Sequence, residues 1–131
     1  MEVQHGGLYL YEPPQVPKSE PDAKFVASGH EQLGERPYII MSRDKVNAGK
    51  PTAVGVPFTT RIHKANSYRV LLPAGEFIAA VDSNYVFENS VALCDHVRVI
   101  DLERVRKKIG QLSENGVFAV QLGLTFVFGI R

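Results

Sequence analysis

The chain has 131 residues, 44% of them apolar and 22% charged, a balance that excludes a fully disordered or collagen-like protein. This length suits one domain over 1–131, with a core that needs no disulfide or metal to hold it. Fifteen Lys and Arg against fourteen Asp and Glu leave a net charge of +1, which taken alone argues against a nucleic-acid partner.

Gly7-Leu8-Tyr9-Leu10-Tyr11 reads as a first strand, stopped by Pro13 and Pro14. Residues 13–35 carry four prolines and two glycines among many charges, which predicts a long exposed loop of the kind that forms a lid or binding segment. Pro37–Met41 is a second strand, followed by the polar turn Ser42-Arg43-Asp44. Thr52–Phe58, Tyr68–Leu72, Phe77–Val81, Val91–Leu93 and Val97–Ile100 supply the remaining strands. Asp101 reads as the N-cap of a short helix over Leu102–Lys108, and Ser113 as the cap of a second over 114–127. Val117, Val120, Leu124 and Val127 form the apolar stripe of that second helix, although Gly116 and Gly123 weaken it. The fold class is mainly β (α+β): a small barrel, closed or nearly closed, of about six to seven strands with a short and a C-terminal helix.

The longest apolar stretch, Val117–Ile130, is broken by Gln121 and Thr125 and is shorter than the ~20 residues of a membrane span. The start of the chain lacks the cationic region and apolar run of a signal peptide, and the single cysteine, Cys94, suits a reducing compartment. A cytoplasmic protein is expected.

Charge is unevenly spread. Residues 1–35 hold six acids and two bases, net −4; residues 36–69 hold seven bases and one acid, net +6. Residues 70–97 carry four acids and no base, and 98–131 return to +3 from six bases and three acids. A +6 block is a candidate anion-binding face whatever the total, or else a solvated surface.

Metal chemistry finds little support: His5, His30, His63 and His96 are widely spaced, and no Cys-x-x-Cys or His-Glu-x-x-His pattern occurs. No metal or other cofactor is therefore expected. Three groups stand where loops meet strands: Gly29–Pro37 with His30, Glu31 and Arg36; Pro57–Arg61 with Thr59 and Thr60; and Cys94-Asp95-His96. Pro37 biases Arg36 to an extended backbone at the start of its strand.

Gly29-His30-Glu31-Gln32, Gly34-x-Arg36-Pro37, Val56-Pro57-Phe58-Thr59, Ser90–Asp95 and Val97–Asp101 resemble, in this order, the motifs of the MazF/PemK toxins, over most of the chain from Gly6 onward. That resemblance implies a barrel related to the SH3 fold, a homodimer, and a sequence-selective, metal-free endoribonuclease acting on single-stranded RNA. It also implies an acidic antitoxin partner that occupies the RNA groove. RNA is then cut by its own 2′-hydroxyl, giving a 2′,3′-cyclic phosphate and a 5′-hydroxyl. On this basis Arg36 holds the phosphate, Thr59 donates to a phosphate oxygen, and the base is one of His30, Glu31 and Asp95. Gln32, Thr60, Arg61 and Lys64 are the expected RNA-binding residues.

Three departures stand out. Leu93 occupies a position where some relatives carry an arginine, the 13–29 loop is longer than usual, and the start is His5-Gly6-Gly7. Two other functions share the scaffold: a CcdB-like gyrase inhibitor acting through Phe128-Gly129-Ile130, and a non-catalytic nucleic-acid- or peptide-binding barrel.

Overall fold

A computed structural model describes residues 2–13 and 35–130, and each run expected to be a strand contains one. The strands are β1 (Gly7–Tyr11), β2 (Arg36–Ile40), β3 (Thr52–Thr59), β4 (Arg69–Leu72), β5 (Phe77–Ala79), β6 (Ser90–Leu93), β7 (Arg98–Asp101) and β8 (Val105–Leu112). Two helices, α1 (Asp44–Asn47) and α2 (Glu114–Phe128), accompany them.

All pairings are antiparallel, in the order β4-β6-β3-β2-β1-β8-β5, with β7 added beside β3. β3 is long enough to change partner along one edge. Thr52–Gly55 pair with β7, and Phe58 and Thr59 pair with β6. The sheet therefore curls into a half-barrel whose end strands, β4 and β5, follow one another in the chain without pairing.

Curling buries both faces of the central strands. Leu8, Ile39, Val56 and Phe58 point into the inner cluster, which α2 closes with Val120. Their neighbours Tyr9, Tyr11, Tyr38 and Ile40 point the other way, into a second cluster with Ala53 and Ile100. At about 25 cal/mol per Å² of apolar surface removed from water, two such clusters supply the main driving force for folding. This is why β1 and β2 read as continuous apolar runs rather than alternating ones.

Two expectations are corrected. The helix over Leu102–Lys108 is a single 3-10 turn, Leu102–Arg104, after which the chain becomes β8. Asp101 does cap that turn, its Oδ1 accepting the Glu103 N–H at 3.0 Å. Register shifts in the β1–β8 ladder, between Leu8 and Tyr9 and between Leu10 and Tyr11, disturb the alternation. The buried residues Val105, Ile109 and Leu112 consequently fall at helix-like intervals on a strand. Among the described residues the strand count is thus eight rather than six or seven. The turn at Ser42–Asp44 leads into α1, whose buried Asn47 is held by the Ser42 hydroxyl and carbonyl.

The expected C-terminal helix is present. Ser113 Oγ accepts the Gly116 N–H at 3.0 Å, and Gly129 ends α2 with φ +68°. The Ile130 N–H then bonds the Thr125 carbonyl, so Phe128-Gly129-Ile130 is a glycine-stopped helix end. Apart from Pro13 and Glu35, the loop expected over 13–35 lies outside the described residues.

Candidate nucleic-acid interface

Strand direction brings the first two groups together. β2 begins at Arg36 and β3 ends at Thr59; the strands are antiparallel, with Tyr38 opposite Pro57, so those ends are neighbours. Both residues line a cleft of about 190 Å³ at the mouth of the half-barrel. Leu10, Pro37 and Phe58 give it an apolar floor, and Thr60 and Glu35 stand at its rim.

Arg36 is half-buried. Thr59 Oγ accepts the Arg61 N–H at 3.3 Å, which leaves its hydroxyl hydrogen to donate into the cleft. Arg61 is exposed and Lys64 half-exposed, on the 3-10 turn Ile62–Lys64 that continues from Thr60 past the rim. A cationic guanidinium and a hydroxyl donor at one cleft, with further cations beyond it, form an arrangement suited to a phosphate diester.

Asp95 stands apart from this cleft. β6 runs antiparallel to β3, its Ser90 end lining the cleft and its other end leading to the turn Cys94–His96. There Arg69 grips the carboxylate with both arms, Nε–Oδ1 at 3.0 Å and Nη2–Oδ2 at 2.7 Å. These hydrogen bonds hold the Asp95 carboxyl below the usual aspartate range, which makes it a weak proton acceptor. His96 Nε2 lies 3.8 Å from the same carboxylate. His30, Glu31 and Gln32 lie outside the described residues.

Sequence reasoning passed over the cleft's far wall, residues 85–88. Tyr85, Phe87 and Glu88 all line the cleft. The rings form a chain: Phe58–Phe77 centroids are 5.2 Å apart, Phe77–Phe87 4.9 Å in parallel, and Phe87–Tyr85 5.0 Å. Burial pushes the Tyr85 phenol up, and the nearby Glu88 charge adds to the shift. The missed signal was Tyr85-Val86-Phe87 between Asn84 and Asn89, an aromatic run bracketed by turn formers.

A larger depression of about 680 Å³ lies beside the second cluster, among Tyr9, Asp44, Lys50 and Lys108. It contains none of the expected site residues and mixes both signs of charge, so size does not make it the site. Among the described residues no three His, Cys, Asp or Glu side chains converge as metal ligands, and no helix is long and apolar enough to cross a membrane.

Residues 22–128 match the family described as PemK-like, MazF-like toxin of type II toxin-antitoxin system. The chain belongs to this family. The PemK/MazF match contains Arg36, Thr59 and the whole 85–88 wall. The relative "Endoribonuclease EndoA" of Bacillus subtilis (strain 168) is 37% identical over 87 residues, 66% of this chain and 69% of that protein. Among solved structures, MazF (Form-I) of Deinococcus radiodurans aligns over 98% of each chain with a TM-score of 0.66 and 24% identity. The MazE-MazF complex (Form-II) of the same organism aligns over 100% of this chain and 99% of that one, with a TM-score of 0.66 and 20% identity. At these identities the structures establish the PemK/MazF fold, including the curled sheet and the terminal helix.

Proposed function

We propose that this PemK/MazF chain is the endoribonuclease toxin of a toxin–antitoxin pair and cuts single-stranded RNA in the cytoplasm without a metal. The observation that carries this reading is the convergence of Arg36 and Thr59 on one cleft, in a chain 37% identical over 87 residues to a protein named an endoribonuclease.

The chemistry follows from the groups available. The 2′-hydroxyl attacks the adjacent phosphorus, the 5′-oxygen leaves, and negative charge builds on the non-bridging oxygens. Arg36 opposes that charge with a planar fork of donors, and Thr59 donates its hydroxyl to a second oxygen. Arg36 acts through its N–H donors and is assigned no proton transfer. The proton acceptor is assigned to His30 or Glu31, on the segment leading into Arg36, since both Asp95 oxygens are engaged by Arg69. Gln32, Thr60, Arg61 and Lys64 guide the strand. The same cationic face suits an acidic antitoxin segment, which would exclude RNA by occupying its track.

Purified protein incubated with a long single-stranded RNA in excess EDTA tests this. Cuts at a short recurring sequence, with cyclic-phosphate ends, are expected. Arg36→Ala and Thr59→Ala should each slow cutting by roughly 10²–10³. RNA left whole would overturn the reading, and stabilised gyrase–DNA cleavage complexes would replace it with gyrase inhibition.

A homodimer is also proposed. Phe118, Leu122 and Phe126, each more than half exposed, repeat every four residues along α2 and make an apolar stripe suited to a second copy. Sedimentation should show a dimer that Leu122→Glu converts to monomer; an unchanged sedimentation profile would place the interface elsewhere.

A further inference from the structure

We infer that the cleft is a slot for one unstacked guanine of the RNA, stacked against Tyr85 and Phe87 and read by the carboxylate of Glu88. The inference rests on the ribonuclease reading and names the base that the site selects.

Size comes first. At about 190 Å³ the cleft has room for a single nucleobase and not for a stacked pair. Proteins that read RNA sequence take bases out of the stack, lay them on aromatic rings and hydrogen-bond their edges. The wall provides such a surface. Tyr85 is the outermost ring of a four-ring chain that runs through Phe87 and Phe77 to Phe58, so its position is fixed by packing before RNA arrives.

Charge comes second. The cleft must admit a polyanion, yet two carboxylates, Glu35 and Glu88, line it. Beside a phosphate they repel; facing the N–H edge of a base they bind. Glu35 adjoins Arg36 on the phosphate side, whereas Glu88 lies on the aromatic wall, close enough for its charge to act on the Tyr85 phenol. The chain at and just after Glu88 is anchored by two hydrogen bonds. Ser90 Oγ donates to the Glu88 carbonyl at 2.8 Å, and Asn89 Oδ1 accepts the Ala74 N–H at 2.9 Å.

Donor pattern comes third. A carboxylate has two acceptor oxygens and no donor. Guanine presents two adjacent N–H groups, N1 and the exocyclic N2, to match them. Adenine and cytosine each place an acceptor nitrogen beside the amino group, and uracil flanks its one N–H with carbonyls. Guanine alone satisfies both oxygens.

The test is cleavage of a randomised single-stranded RNA pool by the wild-type protein and by Glu88→Gln, with the cut ends sequenced. Wild type should show guanine at one fixed position next to the cut. Glu88→Gln should lower the guanine-over-adenine ratio of kcat/KM at that position by about ten- to a hundredfold. Inosine, which lacks the N2 amino group, should cost the wild type a similar factor and cost Glu88→Gln little more. Wild-type cutting without guanine enrichment, or an unchanged preference in Glu88→Gln, would overturn the slot and leave the ribonuclease reading standing. RNA that wild type neither binds nor cuts would remove that reading, and the slot with it.

Discussion

Asp95 and Glu88 are two carboxylates whose surroundings assign them different work. Arg69 lowers the Asp95 pKa, so the folded state holds its proton less tightly than the unfolded chain does. The pair accordingly stabilises the fold above the unfolded aspartate pKa, and that contribution is lost as pH falls through the lower folded value. Arg69→Met should destabilise by up to about 1 kcal/mol at neutral pH, since both partners are about a quarter exposed. Denaturant titrations at a series of pH values should show that gap shrinking towards pH 2; a gap of constant size would mean that Arg69 acts by packing instead. At this scale the lining of the candidate cleft was legible in part. Arg36, Thr59 and Thr60 sit where loops meet strand ends, and a sequence shows strand ends through proline and apolar runs. The role of Glu88 was not legible, because it depends on Tyr85 and Phe87 lying against Phe77, a contact that no local pattern encodes.

Helix α2 shows how an element can break its own propensity rules for the sake of contact. Gly123 would ordinarily weaken a helix by about 1 kcal/mol relative to Ala. Here a Cβ would meet Cys94 Sγ at 2.6 Å and the Val70 side chain at 2.8 Å, so the glycine sets how closely α2 approaches the sheet. Gly123→Ala should therefore destabilise, by about 1–3 kcal/mol, instead of stabilising. Thermal melts would show it, and Cys94→Ala should relieve part of the loss by clearing the nearest atom. A stabilised Gly123→Ala would mean that the helix can lift away freely. The same dependence on tertiary contact explains β8. Its intervals suit a helix, and only pairing with β1 and β5 together makes it a strand. Elements whose pattern and pairing agree, such as β2 and β3, were readable; β8 was not, because its bulges changed the period.

Along the whole chain the near-zero net charge resolves into blocks of opposite sign, and the basic block contains Arg36, Thr59, Arg61 and Lys64. Neutralising Arg61 and Lys64 to Gln should weaken RNA binding and reduce its salt slope by roughly 0.7 for each phosphate that is no longer neutralised. Anisotropy titrations from low to high salt measure this, and parallel slopes would mean that the turn faces away from the strand. The sheet order also has a consequence in time. Leu10, part of the cleft floor, sits on β1, and β1 takes β8 as a neighbour across nearly the whole described chain. A ribosome making this protein must release Leu112 before its earliest strand is flanked on both sides. Such long-range closure is slow and comes late. A nascent polypeptide that stops short of β8 thus lacks the flank that fixes the floor of the cleft, and with it the cleft itself.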